Sequence, residues 1–413
     1  MTKSKSDFLA HLQGIRAVAV ILVLIFHYNS DNLPGGFIGV DMFFVVSGFI
    51  ITRLILNEIK VTGRLNLFQF WERRIRRLLP AATVVLVTTL WLSILYIDET
   101  KLISIATQIL YAAIYIVNWA FASQSVDYAE RGSDLSPVLH YWSLSIEEQF
   151  YIGWPMLLAL LAVIGRTHKS KLRLIATFIS ITTLLSFYWS VITSYSIDFK
   201  ASYFTTTTRI WQLAVGGLVA IVLQKIDSSR SYLSQINSNK IFGLVVSWLG
   251  MLIIVWCSFR LNLDLRYPGS IALLPVIATV LLILSDKGGD WSLTPILEWK
   301  PVQYIGDISY SIYLWHWPVH IFLPLILQKY SLHLNQVWLY ILVTFSLSVL
   351  SKHCIEDPFR YNLGFLKSLK HRNAYILGLL LITVTATFSL KIKSDTETQI
   401  EYAKALFLNS IDS

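Results

Sequence analysis

The sequence contains little charge and little cysteine. Only 14% of its 413 residues are charged, whereas 55% are hydrophobic, and the mean hydropathy is +0.58. A soluble domain of this length would expose far more charge, so the composition excludes an ordinary soluble enzyme. The two cysteines, Cys257 and Cys354, belong to no Cys/His cluster. We therefore predict neither a metal site nor a tightly bound cofactor.

Long apolar stretches are what the sequence has instead. A helix needs about 20 mostly apolar residues to cross the hydrocarbon core of a bilayer, and only helices and closed barrels satisfy their backbone there. We predict an all-α polytopic membrane protein, with a ten-span core at 1–365 and an eleventh transmembrane helix with a short outer tail at 366–413. The predicted spans are 12–30, 37–56, 81–97, 144–164, 173–193, 206–224, 241–258, 269–285, 306–326, 336–353 and 374–391.

Lysine and arginine concentrate in alternate loops, which sets the predicted orientation. With the N-terminus inside, most basic residues between spans lie on the cytoplasmic side, as the positive-inside rule requires. The net charge of +9 then reflects topology and contact with membrane lipid rather than binding to nucleic acid. Residues 102–121 are apolar enough to span, yet a span there would move the basic residues of 166–173 outside. We predict that 102–121 lies on, or re-enters, the outer face.

Two ionisable residues occupy the first predicted span. An ionisable group at the bilayer centre costs about 2.5 to 3.5 kcal/mol on insertion scales, so each needs a reason. Arg16 and His27 are about three helical turns apart and therefore share a face, roughly 16 Å from each other along the axis. One interpretation is that the two residues form a functional pair. The other is that Arg16 only extends its side chain to the lipid headgroups and His27 only caps the outer end of the helix. Asp41, across a short outer loop, could orient His27, while Ser47 and Gly48 favour helix packing.

Four arginines precede the third predicted span, within the run Phe70-Trp71-Glu72-Arg73-Arg74-Ile75-Arg76-Arg77. Anionic lipid would attract such a cluster without any chemistry. Arginine rather than lysine throughout favours bidentate contacts to phosphate, which a phosphorylated donor from the cytoplasm would need. The residues alone leave both interpretations open.

Polar and aromatic residues also gather at three later spans. The run His140-Tyr141-Trp142-Ser143-Leu144-Ser145-Ile146-Glu147 precedes an apolar stretch, and a helix would place Glu147 and His140 on one face. Such dense polarity at a membrane boundary indicates a site. Taken singly, the remaining candidates could equally be interfacial anchors or helix-to-helix hydrogen bonds, namely Arg209, Tyr310, Tyr313 and His316.

In this order, the runs resemble the membrane acyltransferase family called acyltransferase 3, in its O-antigen acetylase-like branch, over residues 8–365. The matching motifs are Arg-x10-His at Arg16–His27, the phenylalanine-rich Ser-Gly-Phe run at Phe43–Phe49, Arg-x-x-Arg at Arg73–Arg76 with a copy at Arg74–Arg77, His-x-Trp-Ser-Leu-x-x-Glu at His140–Glu147, Ser-Tyr-x-x-Tyr-Leu-x-His-Trp-Pro at Ser309–Pro318 and Glu-x-Pro at Glu356–Pro358.

The resemblance implies a prokaryotic inner-membrane enzyme that moves an acyl group, usually acetyl, from cytoplasmic acyl-CoA to a carbohydrate hydroxyl on the outer side. The acceptor could be O-antigen, exopolysaccharide or peptidoglycan, lipid-linked or not. By the same resemblance His27 is the essential histidine and Arg16 its partner, with Arg73 and Arg76 at the donor. His27 would act as the general base, and Asp41 or Glu147 would hold its pKa near the working pH. A covalent acyl-histidine intermediate also fits.

The sequence departs from the family in two places. Where the family has a glutamate after the arginine of the sixth span, Arg209 is followed by Gln212, so that carboxylate is missing. Larger members continue into an outer SGNH esterase-like domain, whose motifs are missing here, so we expect either a truncated relative or reliance on a separate SGNH-type protein. A transporter or flippase for a lipid-linked sugar or small solute is the alternative function, but it predicts two related halves, and the sequence shows no internal repeat.

Overall fold

The computed structural model describes residues 5–124, 136–196, 199–228, 239–263, 265–285, 289–332, 336–361 and 371–411. Every regular element within these ranges is helical, which confirms the all-α prediction. In chain order the α-helices are α1 (Lys5–Tyr28), α2 (Gly39–Thr62), α3 (Leu67–Tyr96), α4 (Glu99–Ala113), α5 (Val117–Gln124), α6 (Tyr141–Ile164), α7 (His168–Ser194), α8 (Phe199–Ser202), α9 (Ile210–Ser228), α10 (Lys240–Arg260), α11 (Leu273–Leu284), α12 (Thr294–Leu297), α13 (Lys300–Asp307), α14 (Ser309–Lys329), α15 (Gln336–Ser351), α16 (Asp357–Tyr361) and α17 (His371–Ile411).

Each predicted span coincides with a helix, and the chain is a multi-pass membrane protein. Within the described ranges, eight helices are long and apolar enough to cross a bilayer, and α9 and α11 are shorter apolar helices. α14 has 21 residues, enough to span, but its tyrosines and histidines make it less apolar than those eight. The predicted boundary at 365 and 366 lies outside the described residues.

The helix that contains the third predicted span begins before the apolar stretch. α3 starts at Leu67 rather than near residue 81, so the four arginines occupy its first turns instead of a loop. Arginine is a good helix former, so the helix can extend through the cluster. Pro80 lacks one backbone hydrogen bond, which is a small loss in a 30-residue helix. The arginine side chains are therefore arranged by helical geometry.

The apolar segment 102–121 is broken in the middle. α4 has 15 residues, and α5 follows a break in which Tyr115 adopts a left-handed φ of 55°. A helix of that length rises only about 22 Å, less than the roughly 30 Å of a hydrocarbon core. This geometry favours the predicted fold-back, while the side of the membrane on which the segment lies stays a prediction.

The helices form two compact units. The first comprises Met1–Leu67, Ala122–Ala129 and Ile146–Tyr310, and the second comprises Phe68–Phe121, Glu130–Ser145 and Ser311–Ser413. In the first unit α2 packs closely on α9, and α1 packs on α2 and α13. In the second unit α17 packs along α4.

Small residues allow the closest helix crossing in the first unit. A side chain added at Gly48 of α2 would overlap the carbonyl oxygen of Leu213 in α9, and one at Gly216 of α9 would overlap that of Val45. The two glycines thus let the two backbones meet, as small residues do in membrane helices. This confirms the packing role predicted for Gly48.

Candidate active site

The first helix holds the predicted Arg16 and His27 as expected. Both lie in the uninterrupted α1, so their spacing gives the common face that the sequence predicted. A guanidinium nitrogen of Arg16 donates to Oε1 of Gln13 over 3.0 Å, one turn earlier. The backbone of Gln13 packs directly against Gly306 of α13, because the Gln13 carbonyl oxygen would overlap any side chain added at Gly306. Arg16 is therefore anchored to a well-packed turn.

Aromatic contacts surround the other end of α1. The His27 ring lies edge to face with Phe26, at 5.1 Å between centroids, and Phe26 meets Phe37 at 5.6 Å. Phe37 belongs to a short 3₁₀ turn, Gly36–Ile38, and contacts Tyr267 at 4.8 Å. Edge-to-face pairs of this kind fix ring orientation as well as burying apolar surface.

Asp41 is the centre of a buried polar network in the first unit. Its Oδ1 accepts from Arg209 at 3.0 Å and from the amide of Gln212 at 2.6 Å. Its Oδ2 accepts from the hydroxyl of Tyr267 at 2.6 Å. Side-chain exposures of 2% for Asp41 and 1% for Arg209 make this a fully buried ion pair, which is stable only when its remaining hydrogen bonds are made.

Two tyrosines complete the surroundings of Arg209. Its guanidinium carbon lies 4.5 Å from the ring centroid of Tyr203 and 5.2 Å from that of Tyr267, and its Nε donates to the carbonyl of Tyr203 over 3.1 Å. Ring faces attract the cation most strongly where water is excluded. Burial and the Asp41 carboxylate raise the pKa of the Tyr267 hydroxyl well above its ordinary value of 10.0, so it stays a neutral donor.

This network changes two interpretations drawn from the sequence. Asp41 was expected to orient His27, but in the part of the chain that the structure describes its carboxylate hydrogen-bonds Arg209, Gln212 and Tyr267 and not His27. Arg209 was expected to lack a carboxylate because Gln212 replaces a glutamate. The fold supplies that carboxylate from α2, and Gln212 becomes a donor to it.

Glu147 has a defined partner in the same unit. Its Oε1 accepts from the hydroxyl of Ser47 at 2.6 Å, which links α6 to α2. Ser47 therefore does more than pack, since it fixes a carboxylate. Further along the same two helices, Trp154 donates to the hydroxyl of Thr52 over 3.0 Å. A partnership of Glu147 with His27 stays a prediction.

His140, Ser143 and Tyr313 meet in the second unit. The hydroxyls of Ser143 and Tyr313 are 2.6 Å apart, and that of Tyr313 also donates to the carbonyl of His140 over 3.2 Å. The rings of His140 and His316 are 5.6 Å apart, and both residues are buried. Side chains of the motif at His140 therefore contact side chains of the motif that begins at Ser309, although the two motifs are far apart in the sequence.

Burial of His140 favours its neutral form. Burial and the neighbouring His316 lower the pKa of His140 well below its ordinary value of 6.5. Neither ring nitrogen of His140 makes a hydrogen bond of ordinary geometry to any described residue. His140 lies one residue before α6, which begins at Tyr141, rather than within its first turn. Trp142 is fully buried, and Tyr310, which belongs to the first unit, is half-buried.

The four arginines of α3 have different surroundings. Arg76 is 6% exposed and its Nε is 2.9 Å from Oε1 of Glu72, a buried i, i+4 ion pair. Arg73 is exposed, and Arg74 and Arg77 are half-buried. At about 100° per residue, Arg73 and Arg77 project within about 40° of each other, and Arg76 lies about 60° from Arg73 but is buried against Glu72. The Arg73 and Arg77 pair, rather than Arg73 and Arg76, is the accessible pair of guanidinium groups.

Several buried polar residues were not among the predicted site residues. Tyr203 and Tyr267 lie in connections between helices and read as ordinary aromatic residues. In the second unit Ser311 hydrogen-bonds Glu356, and buried Lys352 pairs with Asp357 at 2.8 Å. Both acidic residues adjoin a π-helical segment, Lys352–Glu356, a local widening that is frequent at functional sites. Among the described residues no three His, Cys, Asp or Glu side chains gather as metal ligands would.

Comparison with known proteins identifies the family to which the chain belongs. A family profile described as an acyltransferase domain matches residues 9–352. The chain therefore belongs to the acyltransferase 3 family, as its ordered motifs indicated. No solved structure matches it.

Curated relatives cover most of this chain. It is 31% identical over 362 residues to the O-acetyltransferase OatA of Staphylococcus aureus strain NCTC 8325, covering 86% of this chain and 57% of OatA. It is 33% identical over 359 residues to the provisionally named peptidoglycan O-acetyltransferase YrhL of Bacillus subtilis strain 168, covering 86% and 55% respectively. The chain thus spans less than two thirds of the length of these relatives.

Proposed function

We propose that this protein is a membrane O-acetyltransferase that moves an acetyl group from acetyl-CoA to a hydroxyl of a cell-wall carbohydrate. One observation carries the proposal: over 86% of its length the chain aligns with proteins named O-acetyltransferases, one of them named for peptidoglycan. We place it in the cytoplasmic membrane with the N-terminus inside, because that orientation keeps most basic loops on the cytoplasmic side.

The donor is proposed to bind at the first turns of α3. Acetyl-CoA carries phosphates at one end and the reactive thioester at the other. Arg73 and Arg77 form a pair of guanidinium groups on one helical face, and such groups bind phosphate bidentately. The Arg76 guanidinium already pairs with Glu72, so we assign it to holding α3 rather than to the donor.

The transfer itself is proposed to depend on His27. As general base, His27 takes the proton of the acceptor hydroxyl while that oxygen attacks the thioester carbonyl. The carbon–sulfur bond then breaks, and the leaving CoA sulfur takes the proton from His27. Arg16, on the same face of α1, would guide the thioester arm or polarise its carbonyl. An acetyl-histidine formed first and then passed to the acceptor gives the same net reaction.

The Asp41 network supports this assignment indirectly. Phe37 contacts both Tyr267, which donates to Asp41, and Phe26, the neighbour of His27. We propose that Asp41 and Arg209 hold this end of α1 in place and take no part in proton transfer.

The test replaces His27 and a second histidine. Membrane vesicles containing the parent chain, His27→Ala or His168→Ala would receive labelled acetyl-CoA and a peptidoglycan fragment as acceptor, with label in the fragment as the readout. His168 is exposed at the start of α7 and serves as the matched control. His27→Ala should lower the rate by about 10² to 10⁴-fold, the usual worth of a general base. A well-expressed His27→Ala chain with the parent's rate would refute the assignment.

A further inference from the structure

α17 lies beyond the family domain and yet contacts the arginine-bearing helix. The domain match ends at residue 352, whereas α17 runs from His371 to Ile411. Near its start the hydroxyl of Tyr375 donates to the carbonyl of Phe68 over 2.6 Å, and the two rings meet edge to face at 6.3 Å. Phe68 belongs to the first turn of α3, so a side chain from outside the family domain anchors the start of that helix.

One turn further along α17, a glycine receives two side chains of α3. A methyl group added at Gly378 would lie 3.0 Å from Cγ2 of Ile75 and 3.3 Å from Cδ2 of Leu79. Gly378 is buried, while its neighbour Leu379 is 68% exposed. α17 therefore presents a narrow face to α3, and a larger side chain at Gly378 would have to displace Ile75 and Leu79.

Helical geometry shows which arginines this contact directs. At about 100° per residue, Phe68, Ile75 and Leu79 lie within about 40° of one another and form the face of α3 turned to α17. Arg73 and Arg77 each lie about 160° from Ile75 around the helix axis, so both point away from α17. Fixing the first face therefore fixes the direction in which these two guanidinium groups point.

We propose that α17 is a positioning element of the donor site, with Tyr375 and Gly378 as its positioning residues. The inference rests on the proposed function, because it takes Arg73 and Arg77 as the groups that bind the phosphates of acetyl-CoA. Tyr375 anchors the start of α3 through its hydrogen bond to Phe68. Gly378 leaves space for the side chain of Ile75, which lies between Arg74 and Arg76 in the sequence. A small rotation of α3 would misdirect both guanidinium groups.

The experiment separates donor binding from the rest of the reaction. KM for acetyl-CoA, KM for the acceptor and kcat would be measured on the full chain in vesicles for Tyr375→Phe, Gly378→Ala and Gly378→Val. Leu379→Val is the matched control, because it places the same side chain at the adjacent, exposed position. Tyr375→Phe should raise KM for acetyl-CoA about two- to tenfold, the range that loss of one hydrogen bond produces.

The two Gly378 variants should form a graded series. Gly378→Val should raise KM for acetyl-CoA about tenfold or more, and Gly378→Ala less, while kcat and the acceptor KM stay within about twofold of the parent. If Gly378→Val does not accumulate, Gly378→Ala and Tyr375→Phe still decide the matter.

Three results would overturn the inference. Parent-like KM for acetyl-CoA in all the accumulating variants would show that α17 does not position the arginines. A fall in kcat together with a similar rise in both KM values would show a merely structural role. A parent chain whose rate does not depend on acetyl-CoA would remove the proposed donor and this inference with it, whereas the first two results leave the donor assignment standing.

Discussion

Replacing Asp41 with alanine should destabilise the protein strongly, because it leaves a buried cation without its counter-ion. Arg209 is 1% exposed, so water cannot replace the carboxylate. Removing one partner of a buried pair costs about 3 to 5 kcal/mol. The rings of Tyr203 and Tyr267 contact Arg209 in the parent as well, so their cation–π contacts do not offset this cost. Two neutral donors, on Gln212 and Tyr267, also lose their acceptor. We expect a net cost of about 3 to 5 kcal/mol.

Two further variants test the reasoning behind that number. Tyr267→Phe removes one hydrogen bond to a charged group and should cost about 1.5 to 3 kcal/mol. In Asp41→Ala/Arg209→Met both charges are gone, and the cost should fall well below the sum of the two single changes. Asp395, an exposed carboxylate on α17, gives a control variant, Asp395→Ala, that should stay within about 0.5 kcal/mol of the parent.

The assay is unfolding of the detergent-solubilised chain, with the free energy of each variant compared with that of the parent. Side chains that act independently give costs that add within about 0.3 to 0.5 kcal/mol. Additivity of Asp41→Ala and Arg209→Met to within that margin would contradict a coupled ion pair. A parent-like stability for Asp41→Ala alone would contradict the whole calculation.

Two other predictions concern the donor site and the topology. Arg73→Ala/Arg77→Ala should raise KM for acetyl-CoA, and Arg73→Lys/Arg77→Lys should restore it only in part because an ammonium group lacks the bidentate fork; full restoration by lysine would indicate a lipid or topology anchor instead. Single cysteines at Ser123 and Ser170, in a chain lacking Cys257 and Cys354, should react with an impermeant thiol reagent from the outside and from the inside respectively; reaction of Ser123→Cys from the inside would show that 102–121 crosses the membrane.

Much of the fold could be predicted from the sequence because membrane helices are local structures. A bilayer forces each spanning segment to satisfy its own backbone, so apolar length alone located a helix at every predicted span. The motifs were equally visible, since each is a short run of fixed spacing. The start of α3 could not be predicted from hydropathy, which reports the apolar part of a helix and ignores helical turns built from arginine.

The partners of the polar side chains could not be predicted in this way. Asp41 and Arg209 are separated by 168 residues, and Ser47 and Glu147 by 100. Nothing in either local sequence shows that glycines at 48 and 216 let α2 and α9 approach closely enough to exclude water.

The sequence by itself therefore determined the helices, their apolar lengths and the family. The tertiary structure decided that Asp41 neutralises Arg209, that Glu72 takes up Arg76, and that Arg73 and Arg77 share the accessible face of α3. The physical reason is that a buried charge is stable only beside its counter-charge, and distance between side chains is set by how the helices pack.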